Sequence, residues 1–217
     1  MTAQAPAEAP HDCPLCPRLV QFRRDNAAKF PDWHNAPVDS FGDPQARLLI
    51  IGLAPGLRGA NRTARPFTGD WAGDLLYATL DRHGYSRGTY ASRPDDGLEL
   101  VDAMITNAVR CVPPENKPTG PEATACRPFL TSRIAALPRL KAVLCLGKIS
   151  HDNTLKALGY RLKDAAFGHA AQAELEGPNG PLQLFDSYHC SRYNTNTGRL
   201  TEAMFDAVFE DIGAYLG

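Results

Sequence analysis

Residues 46–70 read "ARLLIIGLAPGLRGANRTARPFTGD". The first eight are almost continuously aliphatic and give way abruptly to Ala-Pro-Gly. A short unbroken apolar run bounded by turn residues suits a strand buried on both faces of a parallel sheet, where no side of the strand meets water. The next residues have no periodic pattern and are rich in Gly, Pro and Arg, so they read as a loop. "TGDWAGDLL" then opens a helix, with Thr68 and Asp70 as capping candidates. A buried strand, a loop and a capped helix in this order form the first unit of an alternating α/β fold.

The same character recurs along the chain. "LVDAMITNAV" (100–109), "KAVLCLG" (141–147) and "PLQLFDSYH" (181–189) are further buried-strand candidates. Helical spacing appears in "LVQFRRDNAAKF" and near 70–83, 121–137, 148–159 and 200–216. This alternation predicts a three-layer α/β/α sandwich around a central four-stranded, mainly parallel sheet. The 217 residues suit one compact domain, taken as 13–217, behind an Ala- and Pro-rich tail over 1–12 that reads as disordered.

Composition narrows the function classes. The chain is 43% hydrophobic and 22% charged, as an ordinary globular protein is. No apolar run approaches the ~18 residues of a membrane span, and the N-terminus lacks the pattern of a signal peptide. A cytoplasmic, non-membrane monomer is expected. The net charge of −1 gives no global attraction to nucleic acid, so any such contact must be local.

In an open α/β sheet, ligands bind in the crevice at the carboxyl ends of the strands. The loop after the first strand offers Gly56 and Gly59 for close backbone approach, Arg58, Arg62 and Arg65 for phosphates, Asn61 beside them, and Phe67 for stacking on a planar base. Asn107 ends the second strand, where a carboxamide can present a donor and an acceptor to the edge of a pyrimidine; backbone capping is the plainer use. After the fourth strand comes "HCSRYNTNTGRLT" (189–201), a connection crowded with hydrogen-bonding side chains.

Six cysteines without a secretory signal argue against a disulfide framework. Cys13 and Cys16 form a C-x2-C pair, and Cys111 and Cys126 supply two further thiols. Four thiolates can hold zinc or an iron-sulfur cluster, and spacing does not separate them. Cys145 and Cys190 read as buried core residues, and His11, His34, His83, His151 and His169 lie in no functional setting.

Three long motifs, "GLAPGLRGANRTARPFTGD" (52–70), "TNAVRCVPPENKP" (106–118) and "HCSRYNTNTGRLT" (189–201), together with the four-cysteine pattern, resemble the uracil-DNA glycosylases, specifically their family 5 or type b branch. The resemblance runs from Cys13 to the last helix. It implies a 4Fe-4S cluster on Cys13, Cys16, Cys111 and Cys126. It implies a base pocket made by the backbone of Gly52, Leu53 and Ala54 with Gly56, stacking by Phe67, and contacts from Asn107 and His189. Asp70 matches the polar residue that closes the first motif in this branch; Leu53 and Ala54 stand where other branches carry the water-activating side chain. Asp70, His189 and Asn107 are therefore the expected catalytic residues. Ser191, Arg192, Asn194, Thr195 and Asn196 are expected to meet DNA alongside Arg58, Asn61, Arg62 and Arg65.

The expected activity is that of a monofunctional, bacterial or archaeal base-excision-repair glycosylase. It would flip uracil, hypoxanthine, xanthine or ethenocytosine out of double-stranded DNA and hydrolyse the glycosidic bond. A non-catalytic DNA-lesion binder with a metal-stapled fold is the alternative. A hydrolase of free nucleotides is a third reading, weakened because no Walker lysine and serine follow the glycines.

Overall fold

The computed structural model describes residues 6–217. Helix α1 (Pro17–Lys29) is followed by β1 (Phe41–Gly42), β2 (Leu48–Gly52), α2 (Ala60–Thr63), α3 (Trp71–Arg82), β3 (Ser86–Arg87), β4 (Glu99–Leu100) and β5 (Ala103–Asn107). The second half carries α4 (Gly120–Ala135), β6 (Ala142–Leu146), α5 (Lys148–Ala157), β7 (Gln172–Gly177), β8 (Gly180–Ser187), α6 (Arg192–Asn196) and α7 (Glu202–Leu216).

The main sheet has the order β1-β5-β2-β6-β8-β7. Its four inner strands are the four predicted ones, and they pair in parallel. The predicted four-stranded sheet is extended to six, because β1 and β7 add antiparallel edges on β5 and β8. A separate two-stranded sheet joins β3 and β4.

Every residue of β2 is buried, as its composition requires. Leu48 and Ile50 point to one face, where α3 supplies Leu76 and Leu80 and α7 supplies Phe205, Phe209 and Ile212. Leu49 and Ile51 point to the other, where α4 brings Leu130 and Ile134 and α5 brings Leu155. Alternation along this one strand therefore feeds both cores of the α/β/α sandwich. Cys145 and Cys190 are fully buried members of these two cores.

A third, smaller cluster gathers Leu19 of α1, Phe129 of α4 and Val109 around Cys13, Cys111 and Cys126. Ala9 belongs to it, which corrects part of the expected tail. Glu8 pairs with buried Arg110 at 2.8 Å and with Arg133, so these residues are pinned where a disordered segment was expected. Residues 1–5 of that tail lie outside the described residues. Among the described residues no helix is long and apolar enough to cross a membrane.

Candidate active site

The chain crosses from β2 to β5 on one side of the sheet and later returns to β6 on the other. This makes β2 the point where strand order reverses, and a pocket of about 630 Å³ opens at its carboxyl end. Leu53, Ala54, Gly56 and Arg58 line it from the loop after β2, Asn107 from β5, and His189 and Ser191 from the connection after β8.

Gly52 lies behind the wall. A methyl group on its α-carbon would stand 2.5 Å from Asn107 Oδ1 and 2.7 Å from the Phe67 ring. Its missing side chain is what lets those two groups close on the pocket floor. Asn107 is only 3% exposed. Its carboxamide makes no hydrogen bond among the described residues, yet its polar atoms are not sealed off, so the amide edge opens into the pocket and is free to pair with a ligand.

His189 stacks against Phe67, with ring centroids 5.8 Å apart and planes at 26°. Its Nδ1 is shut away without a partner, which leaves Nε2 as the open ring nitrogen. Burial pushes its pKa down to about 4, so the ring is neutral near pH 7. With Nδ1 sealed off, a proton on Nε2 would let the neutral ring donate into the pocket. The Nδ2 amide of Asn194 donates to the His189 carbonyl at 2.8 Å and holds this residue in place.

Asp70 caps α3, accepting the Gly73 N–H at Oδ1 over 3.2 Å. Its other oxygen is aimed back at the loop: methyl groups on Gly56 and Gly59 would stand 2.9 Å and 2.3 Å from Oδ2. Burial raises its pKa, opposed by the Gly73 and Ala72 N–H groups. The capping and pocket-facing uses of Asp70 therefore coexist, one oxygen to each.

Phe67 has a φ of +52°, a costly region for a bulky side chain. Its neighbours fix it there. Tyr90 donates to the Phe67 carbonyl at 3.1 Å, Tyr77 to the Pro66 carbonyl at 2.7 Å, and Arg65 Nε to Thr68 Oγ1 at 2.7 Å. Arg65 is the main correction to the expected phosphate contacts: it is 5% exposed and forms a bidentate pair with Asp96 at 2.8 Å. Asn61 is likewise buried and bonded to Asn35. Arg58, Arg62, Arg192 and Asn196 are exposed as expected. Ser191 caps α6 and Thr195 accepts from the Trp71 indole, so these two are partly committed within the protein.

The family model described as the uracil DNA glycosylase superfamily matches residues 40–213. The chain belongs to the uracil-DNA glycosylase superfamily. A Type-5 uracil-DNA glycosylase of Thermus thermophilus is 44% identical over 198 residues, 89% of each chain. Another from Mycobacterium leprae is 39% identical over 92% of this chain and 89% of its own. A third, from Pyrobaculum aerophilum, is 39% identical over 88% and 83%. These relatives place the chain on the family 5 branch.

The same fold brings the four predicted thiols of this family 5 chain to one small cavity, lined by Cys13, Cys16, Cys111 and Cys126. The Arg110 N–H donates to Cys126 Sγ at 3.2 Å. As bare thiols they resist ionisation: burial pushes Cys111 up to about 12 and Cys126 to about 11. Among the described residues no three His, Cys, Asp or Glu side chains close around a single metal ion.

Sequence reasoning missed Asn116, which lines the pocket from a 3₁₀ turn and has a φ of +56°. Asparagine tolerates the left-handed region, and "PPEN" signals such a turn without telling where it folds back. It also missed Tyr193, 72% exposed on α6, and Trp71, 49% exposed at the start of α3.

Proposed function

We propose that the protein is a monofunctional glycosylase that removes uracil, and other deaminated or damaged bases such as hypoxanthine, xanthine and ethenocytosine, from double-stranded DNA. It acts as a monomer. The carboxamide of Asn107, open to the pocket and without a partner in the protein, carries this reading. A pyrimidine edge presents a donor and an acceptor to match it, and a flipped base would seat between Phe67 and the loop backbone.

Flipping disrupts stacking at a cost of about a few kcal/mol. The exposed Arg58, Arg62 and Arg192 would offset this through phosphate contacts, and Tyr193 is the aromatic side chain available to occupy the vacated stack. Cleavage then builds negative charge on the base and positive charge on the sugar. Asn107 and the neutral His189, donating from Nε2, would stabilise the departing base. The free oxygen of Asp70 would orient water or stabilise the cation. Asn116 is close enough to the pocket to help hold that water. Among the described residues no lysine lines the pocket, so no amine stands ready to form a Schiff base with C1′ and the product is an abasic site.

Cys13, Cys16, Cys111 and Cys126 would hold a 4Fe-4S cluster. All four line one small cavity and gather in one apolar cluster with Leu19, Val109 and Phe129, and four thiolates are the donor set that an iron-sulfur cluster takes. A cluster there would supply four iron–sulfur bonds that tie α1 to α4 and to the segment after β5. Broad visible absorbance that dithionite bleaches would support it; a colourless, zinc-loaded protein would sink it.

The decisive experiment incubates the protein with labelled duplexes bearing one uracil or one hypoxanthine, then treats them with hot alkali. Scission that appears only after alkali is expected. Tight binding of either duplex without scission would replace this reading with the non-catalytic lesion binder.

A further inference from the structure

Trp71 is a large apolar residue left half exposed at the rim of the pocket. Its chain neighbours Asp70 and Ala72 both line the pocket, and across the opening so does Ser191. Two contacts bridge this rim. The Trp71 Nε1–H donates to Thr195 Oγ1 at 3.1 Å, and the Arg192 guanidinium lies 5.4 Å from the centre of the indole. Among the described residues that guanidinium has no hydrogen bond and no carboxylate partner. An exposed arginine is held on this ring by a single weak contact.

We propose that Trp71 is a stacking platform for the nucleobase next to the flipped nucleotide, and that Arg192 covers it only while DNA is absent. The inference rests on the glycosylase reading, since it requires a strand crossing the rim to deliver a nucleotide to the pocket. The physical order of the contacts favours the exchange. A cation over an exposed aromatic ring is a minor interaction, whereas a base stacked on an aromatic side chain is a larger one and accepts any base. A phosphate is also a stronger partner for a guanidinium than a ring face. When the strand arrives, Arg192 gains a phosphate and the indole gains a base, so both groups improve their partners. The indole stays oriented throughout by its bond to Thr195.

The test uses the full-length protein and duplexes bearing a non-hydrolysable 2′-fluoroarabino-uridine. A 2-aminopurine is placed immediately 5′ of it in one duplex and 3′ in another. At saturation the wild type should quench the 2-aminopurine in one of the two placements. Trp71→Leu should abolish that quench at full occupancy and weaken binding roughly tenfold, the loss of one base stack. Trp71→Phe should restore part of both. Equal quenching by wild type and Trp71→Leu, or unchanged affinity, overturns the platform. Wild type that excises uracil from a matching duplex while neither placement responds overturns the platform and leaves the glycosylase reading intact. Wild type that neither binds nor excises overturns both.

Discussion

Asp70 divides one carboxylate between a helix cap and the pocket, and the division can be tested because asparagine preserves one use and removes the other. Asn caps helices as well as Asp does, but it brings no charge to the sugar. Burial raises the Asp70 pKa in the folded protein, so its ionised form costs stability above that pKa, and the cost vanishes as pH falls through it. Asp70→Asn should therefore lower excision by about 100-fold or more at pH 7 while leaving Tm unchanged or raised. A Tm loss matching the activity loss would reduce Asp70 to a cap. His189 gives the complementary pH prediction. Its folded pKa lies near 4 against about 6.5 unfolded, so the folded state disfavours the proton. Stability contributed by this residue is intact above about 6.5 and declines as pH falls toward 4. The neutral donor persists across pH 6 to 8, and the excision rate should not fall with rising pH in that range. A rate that drops through pH 6.5 would mean that the imidazolium is the working form.

The element that sets the site is the loop from β2 to α3, because it places Phe67 and Asp70 together. Its anchor is Arg65, whose guanidinium joins Asp96 to Thr68 and lies within 5.7 Å of the Tyr77 and Tyr90 rings. Arg65 holds the Asp96 carboxyl well below the usual carboxylate range. Removing one partner of a buried pair costs about 3–5 kcal/mol, which makes Arg65→Ala a folding variant. Arg65→Lys is more informative: it keeps the charge and loses the fork. It should lower Tm, since about 1 kcal/mol corresponds to roughly 2–4 °C in a domain of this size, and lower kcat more than DNA affinity as Phe67 loses its support. An unchanged kcat would show that Phe67 holds its strained backbone alone. Sequence could not separate Arg65 from Arg58, because both sit in the same glycine-rich loop. Their different fates depend on Asp96, 31 residues away. The edge strands were illegible for related reasons. β1 has two residues, and β7 exposes Glu174 while burying only Leu175, so neither carries the continuous apolar run that revealed the inner four. Those four, and the loops at their carboxyl ends, were readable because burial on both faces leaves little freedom in composition.

At the scale of the whole molecule the charge is nearly balanced, at −1, so DNA binding must come from where the arginines are exposed. The placement of Arg65 and Asn61 in the interior removes two expected contacts. Arg58, Arg62 and Arg192 remain exposed around the pocket. If these three each neutralise one phosphate, log K should fall with log salt at a slope of about −2.7, each contact contributing roughly −0.9. Arg62→Ala should make the slope shallower by about 0.9 and weaken binding to all duplexes alike, because a phosphate contact carries no sequence information. Arg65→Lys, measured beside it, should leave the slope unchanged, since that guanidinium never reaches solvent. A slope change in Arg65→Lys but not in Arg62→Ala would mean that the loop opens on DNA and exposes the buried arginine. The proposed phosphate contacts would then have to be reassigned.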